Sequence, residues 1–119
     1  MKLINLIKKQ WLACTLLILT AITVLSLYPL QHLPLVPGSD KAHHLISYAA
    51  LMFPAALRQP KFLWLIALFF ISWSGGIELI QPYVNRYGEW LDLLANSVGL
   101  LVGFVLAQLI VRYFPSQTA

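Results

Sequence analysis

Residues 91–113 read LDLLANSVGLLVGFVLAQLIVRY, an apolar run long enough to cross the hydrocarbon core of a bilayer as one helix. Successive helical residues are rotated by about 100°, so one narrow stripe collects side chains that are polar near its start and small further on. This stripe consists of Glu89, Asp92, Asn96, Gly99 and Gly103. Because polar groups are costly in lipid and a GxxxG spacing permits close approach, we expect the stripe to face other helices.

Three more segments meet the same length requirement, at about residues 11–28, 40–57 and 62–81. The composition agrees with a membrane location, because 60% of the residues are apolar, only 10% are charged and the mean hydropathy is +0.77. Soluble chains usually carry about a quarter charged residues. The sequence therefore predicts an all-α integral membrane bundle of four transmembrane helices that forms a single domain over residues 1–119. A lone cysteine, Cys14, excludes a disulfide framework within the chain.

The basic residues predict the orientation of these helices. Most of them flank the N-terminus, the loop between the second and third segments, and the C-terminus: Lys2, Lys8, Lys9, Arg58, Lys61 and Arg112. Only Lys41 and Arg86 fall on the opposite side. Because short cytoplasmic loops carry the excess of Lys and Arg, we expect both termini in the cytoplasm of a bacterium, with the protein crossing its inner membrane several times. The cations form no stripe of the kind that binds nucleic acid, so a nucleic-acid partner is not expected.

The remaining ionisable residues gather on the outer side of this predicted bundle. Along the second segment, helical spacing places four of them on one face: Asp40, Lys41, His44 and Tyr48. Along the third, Ser74, Glu78 and Gln81 share a face, and Arg86 follows in the next loop. A set of charges kept at the rim of a membrane predicts a functional site.

The spacing of these residues resembles that of the VanZ-like family of small bacterial membrane proteins. The resemblance lies in three patterns over about residues 39–104: Asp40-Lys41-x2-His44-x3-Tyr48, Gly76-x-Glu78-x2-Gln81, and Arg86-x5-Asp92-x3-Asn96-x2-Gly99-x3-Gly103. It implies a polytopic helical membrane protein. One member of that family is associated with low-level teicoplanin resistance, and a distant relation of the family to membrane enzymes acting on lipid head groups has been proposed.

The residues at the rim suit a phosphorylated lipid head group. Lys41 and Arg86 can bind phosphate, and His44 is a natural general acid or base. Asp92 or Glu78 can fix the tautomer of that imidazole or join it on a divalent metal, although the sequence identifies no metal or cofactor. We therefore assign His44, Asp92 and Glu78 as catalytic candidates. The candidates for binding a membrane or polyprenyl-linked lipid, such as an anionic one, are Asp40, Lys41, Tyr48, Gln81, Arg86 and Asn96. Gly99 and Gly103 are assigned to helix packing.

Each residue also has a structural interpretation. Asp40 can cap a helix, Glu78 can form an ion pair that fixes the bundle, and Asn96 and Gln81 can bond across helices. Two other functions therefore remain open beside a head-group phosphoester enzyme. One is a non-enzymatic cell-envelope module that sequesters or masks a lipid or glycopeptide, as in antibiotic resistance. The other is an assembly protein whose GxxxG face binds a partner.

Overall fold

The computed structural model describes residues 2–27, 40–84 and 90–113, and it places nearly all of them in helices. The helices are α1 (Lys2–Lys9), α2 (Trp11–Leu27), α3 (Asp40–Arg58), α4 (Leu63–Ile80) and α5 (Trp90–Tyr113), and a 3-10 turn over Gln81–Val84 continues α4. The described parts of the chain contain no β-strand, which confirms the predicted all-α class. Helix α1 was not predicted from the sequence.

The most extensive contact in the described bundle is between α3 and α5, and two glycines make it possible. A Cβ atom added at Gly99 would collide with the carbonyl oxygen of Leu45 and lie 3.1 Å from its Cα. A Cβ added at Gly103 would meet Ala49 in the same way, with its Cα at 3.1 Å. Moving four residues along α5, from Gly99 to Gly103, also moves the contact four residues forward along α3, from Leu45 to Ala49. Helices α3 and α5 therefore run parallel. Their N-terminal turns, where the polar residues lie, therefore meet at one end of the bundle.

Helices α2 and α4 pack on this pair and are joined to each other by two hydrogen bonds. The indole nitrogen of Trp73 in α4 donates to the hydroxyl of Thr23 in α2 over 2.9 Å. The side-chain nitrogen of Gln81 donates to the carbonyl of Ser26 over 3.0 Å. The apolar core between the helices is formed by residues of all five, among them Ile4, Leu19, Leu51, Phe70 and Leu100.

The far end of α3 shows how the chain turns back into α4. Gln59 follows the last residue of the helix with φ at 56°, a left-handed conformation that commonly ends a helix. Its backbone N–H donates to the carbonyl of Ala55 over 3.0 Å, and its side-chain amide donates to Gln108 of α5 over 3.2 Å. This end of the bundle lies opposite the polar residues and carries Arg58 and Lys61.

Length and composition identify two helices that can cross a membrane, Leu63–Tyr83 and Trp90–Tyr113. A third span is counted if α1 and α2, which meet at a bend of 78°, form one unit. Helix α3 is not among these candidates, and charged residues lie at both of its ends, with Asp40 and Lys41 in the first turn and Arg58 in the last. The described helices thus give two or three candidate spans of a membrane protein, where the sequence analysis expected four.

Candidate functional site

Asp92 occupies the centre of a polar arrangement at the end of the bundle where α3 and α5 begin. Its side chain is 3% exposed, and one carboxylate oxygen, Oδ1, lies 2.6 Å from Nζ of Lys41. The other oxygen, Oδ2, lies 3.6 Å from Nε2 of His44. Lys41 is 40% exposed, so this ion pair joins a buried carboxylate to a cation that solutes can reach. Asp92 is also in the first turn of α5, where the helix dipole favours a negative charge.

The opposite nitrogen of His44 is held by Asn96, one turn further along α5. Nδ1 of His44 lies 2.9 Å from Oδ1 of Asn96, and Nδ2 of Asn96 donates to Oγ of Ser74 over 2.5 Å. Because the amide oxygen of Asn96 only accepts, this network assigns the proton to Nδ1 of His44. Nε2, on the side of Asp92, is then the nitrogen available to exchange a proton. At 3.6 Å it is too far from Oδ2 for a direct hydrogen bond.

Ser74 links this network to the interior of the bundle. Its side chain is fully buried and also shares a hydrogen bond with the phenol of Tyr48, which is 2% exposed. Glu78 lies one turn beyond Ser74 on α4, is 4% exposed, and lies near Tyr48. We refer to these side chains together as the polar cluster: Lys41, His44, Tyr48, Ser74, Glu78, Asp92 and Asn96. It draws on three helices, α3, α4 and α5.

Four of the polar residues singled out from the sequence lie beside the polar cluster or outside the described residues. Gln81 is 1% exposed and its side-chain nitrogen is used to hold the end of α2, the cross-helix role considered from the sequence. Arg86 lies outside the described residues, as do Glu89 and the side chain of Asp40, whose backbone begins α3. Their assignments stay predictions.

The polar cluster provides fewer metal ligands than a protein site usually needs. The part of the chain that the structure describes contains no group of three His, Cys, Asp or Glu side chains placed to hold one ion. His44 and Asp92 are the pair nearest to such an arrangement, with Nε2 and Oδ2 3.6 Å apart. What the described side chains offer directly is proton exchange at His44 and a reachable cation at Lys41.

Ser74 is the residue whose role the sequence did not assign. Its spacing of four from Glu78 placed it on the polar face of the third segment, which was a usable signal. A serine in an apolar helix is common, however, and its value here depends on Asn96 of another helix lying opposite it. Only the packing of α4 against α5 provides that information.

The fold and the polar cluster together define a class of protein, a small all-α bundle of apolar helices with a buried set of ionisable side chains at one end. Within this class the sequence matches the model of the VanZ/LLP1 family over residues 3–111, and the chain belongs to that family. The match confirms the resemblance seen in the sequence patterns and extends it over the first helices. No curated protein and no solved structure gave a match.

Proposed function

We propose that this VanZ/LLP1 protein crosses the bacterial inner membrane four times, through α2, α3, α4 and α5, with both termini in the cytoplasm. Helix α3 contacts each of the other four helices, and Leu51, Ala55 and Ala56 in its second half are fully buried. A helix enclosed in this way needs less hydropathy to cross a membrane, because protein and not lipid surrounds its polar groups. The excess of basic residues at the opposite end of the bundle supports the outward position of the polar cluster.

The proposed ligand is the phosphorylated head group of a membrane or polyprenyl-linked lipid. The observation that carries this proposal is the Lys41–Asp92–His44 contact, in which one cation is 40% exposed and its carboxylate partner is buried. A phosphate oxygen can replace the Asp92 carboxylate at Lys41, since ammonium groups bind both. The apolar helices below the polar cluster offer a surface for the lipid chains of the same ligand.

The proposed reaction is hydrolysis of a phosphoester in that head group. A water oxygen forms a bond to phosphorus while the bond from phosphorus to the leaving oxygen breaks. Nε2 of His44 takes the proton of the water and returns it to the leaving oxygen, as a general base and then a general acid. Asn96 keeps the proton of Nδ1 in place, so that Nε2 remains the reacting nitrogen.

The two alternatives are separated by different observations. An assembly role for the GxxxG face loses its support, because α3 of the same chain already covers Gly99 and Gly103. A non-enzymatic module that holds a lipid or glycopeptide uses Lys41 but has no need for a titrating side chain at position 44. The variant His44→Gln, which retains hydrogen bonding but cannot exchange protons, therefore distinguishes binding from catalysis.

The test is to purify the chain in mild detergent and to identify the co-purifying lipids by mass spectrometry. Lys41→Gln should retain less of an anionic lipid class than the wild type does. Lys61→Gln, which removes the same charge from the other end of the bundle, should keep it. Wild type and His44→Gln are then compared for release of phosphate or phosphorylated head group from that lipid class. The enzyme is supported if the wild type releases phosphate or head group and His44→Gln binds the lipid without releasing either. Release by both proteins contradicts the role of His44. Release by neither favours the binding module.

A further inference from the structure

A second feature lies at the basic end of the bundle, where α1 meets α2. An open groove with a volume of about 340 Å³ runs along this junction, within the usual size range of small-molecule sites. Its lining is entirely apolar or sulfur-containing and comes from α1, α2, α3 and α5: Ile7, Cys14, Ile18, Ala49, Ala50, Phe53, Pro54 and Leu106. We call it the elbow groove.

The apolar side of α1 is shared between the core, the elbow groove and the exposed surface. At 100° per residue, Leu3, Ile4, Leu6 and Ile7 occupy one side of the helix, and the lysines occupy the other. Ile4 is buried in the core and Ile7 lines the elbow groove. Leu3 and Leu6 are 67% and 56% exposed on the same apolar side. Such a helix, bent by 78° from α2, has the features of one that lies in the plane of a membrane interface.

The charged residues of α1 are all positive. Lys8 and Lys9 occupy the last turn of α1, directly after the groove residue Ile7. The described basic residues of this end of the bundle are Lys2, Lys8, Lys9, Arg58, Lys61 and Arg112, whereas all four acidic residues of the chain, Asp40, Glu78, Glu89 and Asp92, belong to the other end in the sequence pattern. An apolar groove on one side of a helix that carries lysines on its other side is complementary to a molecule with a long apolar chain and an anionic head.

We infer that the elbow groove binds one acidic phospholipid of the adjacent leaflet, with an acyl chain in the groove and its phosphate at Lys8 and Lys9. Basic residues at a membrane surface attract anionic lipids in general. A groove on the apolar side of the same helix can also hold an acyl chain, so that one lipid molecule binds at a defined place. This site lies at the opposite end of the bundle from the polar cluster. It does not depend on any reaction at His44.

The first test titrates the detergent-purified full chain with dioleoylphosphatidylglycerol, measuring bound lipid by native mass spectrometry. Dioleoylphosphatidylcholine, with the same chains and no net charge, serves as the comparison lipid. The double variant Lys8→Gln/Lys9→Gln should weaken binding of the anionic lipid by about fivefold for each lysine. Lys61→Gln, which removes a cation from the same end but away from the groove, should leave it unchanged. An equal loss in Lys61→Gln, or equal wild-type affinity for the two lipids, would overturn the inference.

The second test fills the groove. Ala50→Leu places a larger side chain among the lining residues and should reduce binding of the anionic lipid. Ala21→Leu, the same change at an exposed position of α2 outside the groove, should not. Unchanged binding in Ala50→Leu would contradict the acyl-chain position.

A third measurement needs no variant that alters the fold. Cys14 is the only cysteine of the chain and lines the groove, so its alkylation by N-ethylmaleimide reports whether the groove is filled. Phosphatidylglycerol should slow the alkylation of the wild-type chain, and phosphatidylcholine should not. A rate that is insensitive to phosphatidylglycerol would overturn the inference even if Ala50→Leu fails to fold.

Discussion

Replacing Gly103 with alanine should destabilise the bundle, whereas the same replacement at Gly76 should stabilise it. At Gly103 the new Cβ would lie 3.1 Å from the Cα of Ala49 and would collide with its carbonyl oxygen. Carbon atoms in good contact are about 3.5–4.0 Å apart, so α3 must move away from α5 by about half an ångström or more. At Gly76 nothing lies within 4 Å of the added Cβ.

The magnitude follows from the difference between the two sites. Alanine is favoured over glycine inside a helix by about 1 kcal/mol, and this gain is common to both variants. Overpacking of a close contact costs about 1–3 kcal/mol, and only Gly103→Ala incurs it. The free energies of unfolding of the two variants should therefore differ by about 1–3 kcal/mol, with Gly76→Ala the more stable.

The assay is reversible unfolding in mixed detergent micelles, followed by circular dichroism, with Gly76→Ala as the matched control. A second readout is the geometry of the polar cluster, because moving α3 away from α5 also lengthens the 2.9 Å contact between His44 and Asn96. Equal unfolding free energies for Gly103→Ala and Gly76→Ala would refute the close approach of α3 and α5.

Three further variants test other parts of the structure. Ser74→Ala removes the acceptor of the Asn96 amide and the buried hydrogen-bond partner of Tyr48, so the free energy of unfolding should fall by about 1–3 kcal/mol. A fall no larger than that of the exposed control Ser72→Ala would contradict the hydrogen-bond network. Gln59→Gly removes the steric cost of the left-handed conformation at φ 56°, so the free energy of unfolding should rise by about 1 kcal/mol, reduced by the contribution of the exposed hydrogen bond to Gln108. A lower stability in Gln59→Gly than in Gln59→Ala would argue against that backbone geometry. Trp73→Phe removes the hydrogen bond to Thr23 and should cost about 0.5–1.5 kcal/mol, and combining it with Thr23→Val should add little further loss if the two side chains are bonded.

The helices could be predicted from sequence because apolar runs of membrane length have few other interpretations. The start of α5 and the faces of α3 and α4 followed from helical spacing alone. Helix α1 was missed because Lys2–Lys9 is short and its lysines were interpreted only as signals of orientation. Its packing on α3 depends on Ile4 and Ile7, whose role a sequence pattern of eight residues does not specify.

The partners within the polar cluster could not be predicted in the same way. Spacing within one helix shows which side chains share a face, but not how far one helix is shifted along another. Here the shift is set by Gly99 against Leu45 and Gly103 against Ala49. That register brings Lys41 to Asp92, a contact that spacing within either helix does not show. The role of Ser74 depends on the same kind of information.

The central claim is that Asp92 of α5 and Lys41 of α3 meet at one end of the bundle, and a double-mutant cycle tests it most directly. The unfolding free energies of Lys41→Gln, Asp92→Asn and the double variant are compared with that of the wild type. Contact over 2.6 Å predicts a coupling free energy of about 0.5–3 kcal/mol, whereas Lys61→Gln combined with Asp92→Asn should be additive within about 0.5 kcal/mol. Additivity of Lys41→Gln and Asp92→Asn to the same degree would contradict the arrangement on which the proposed site depends.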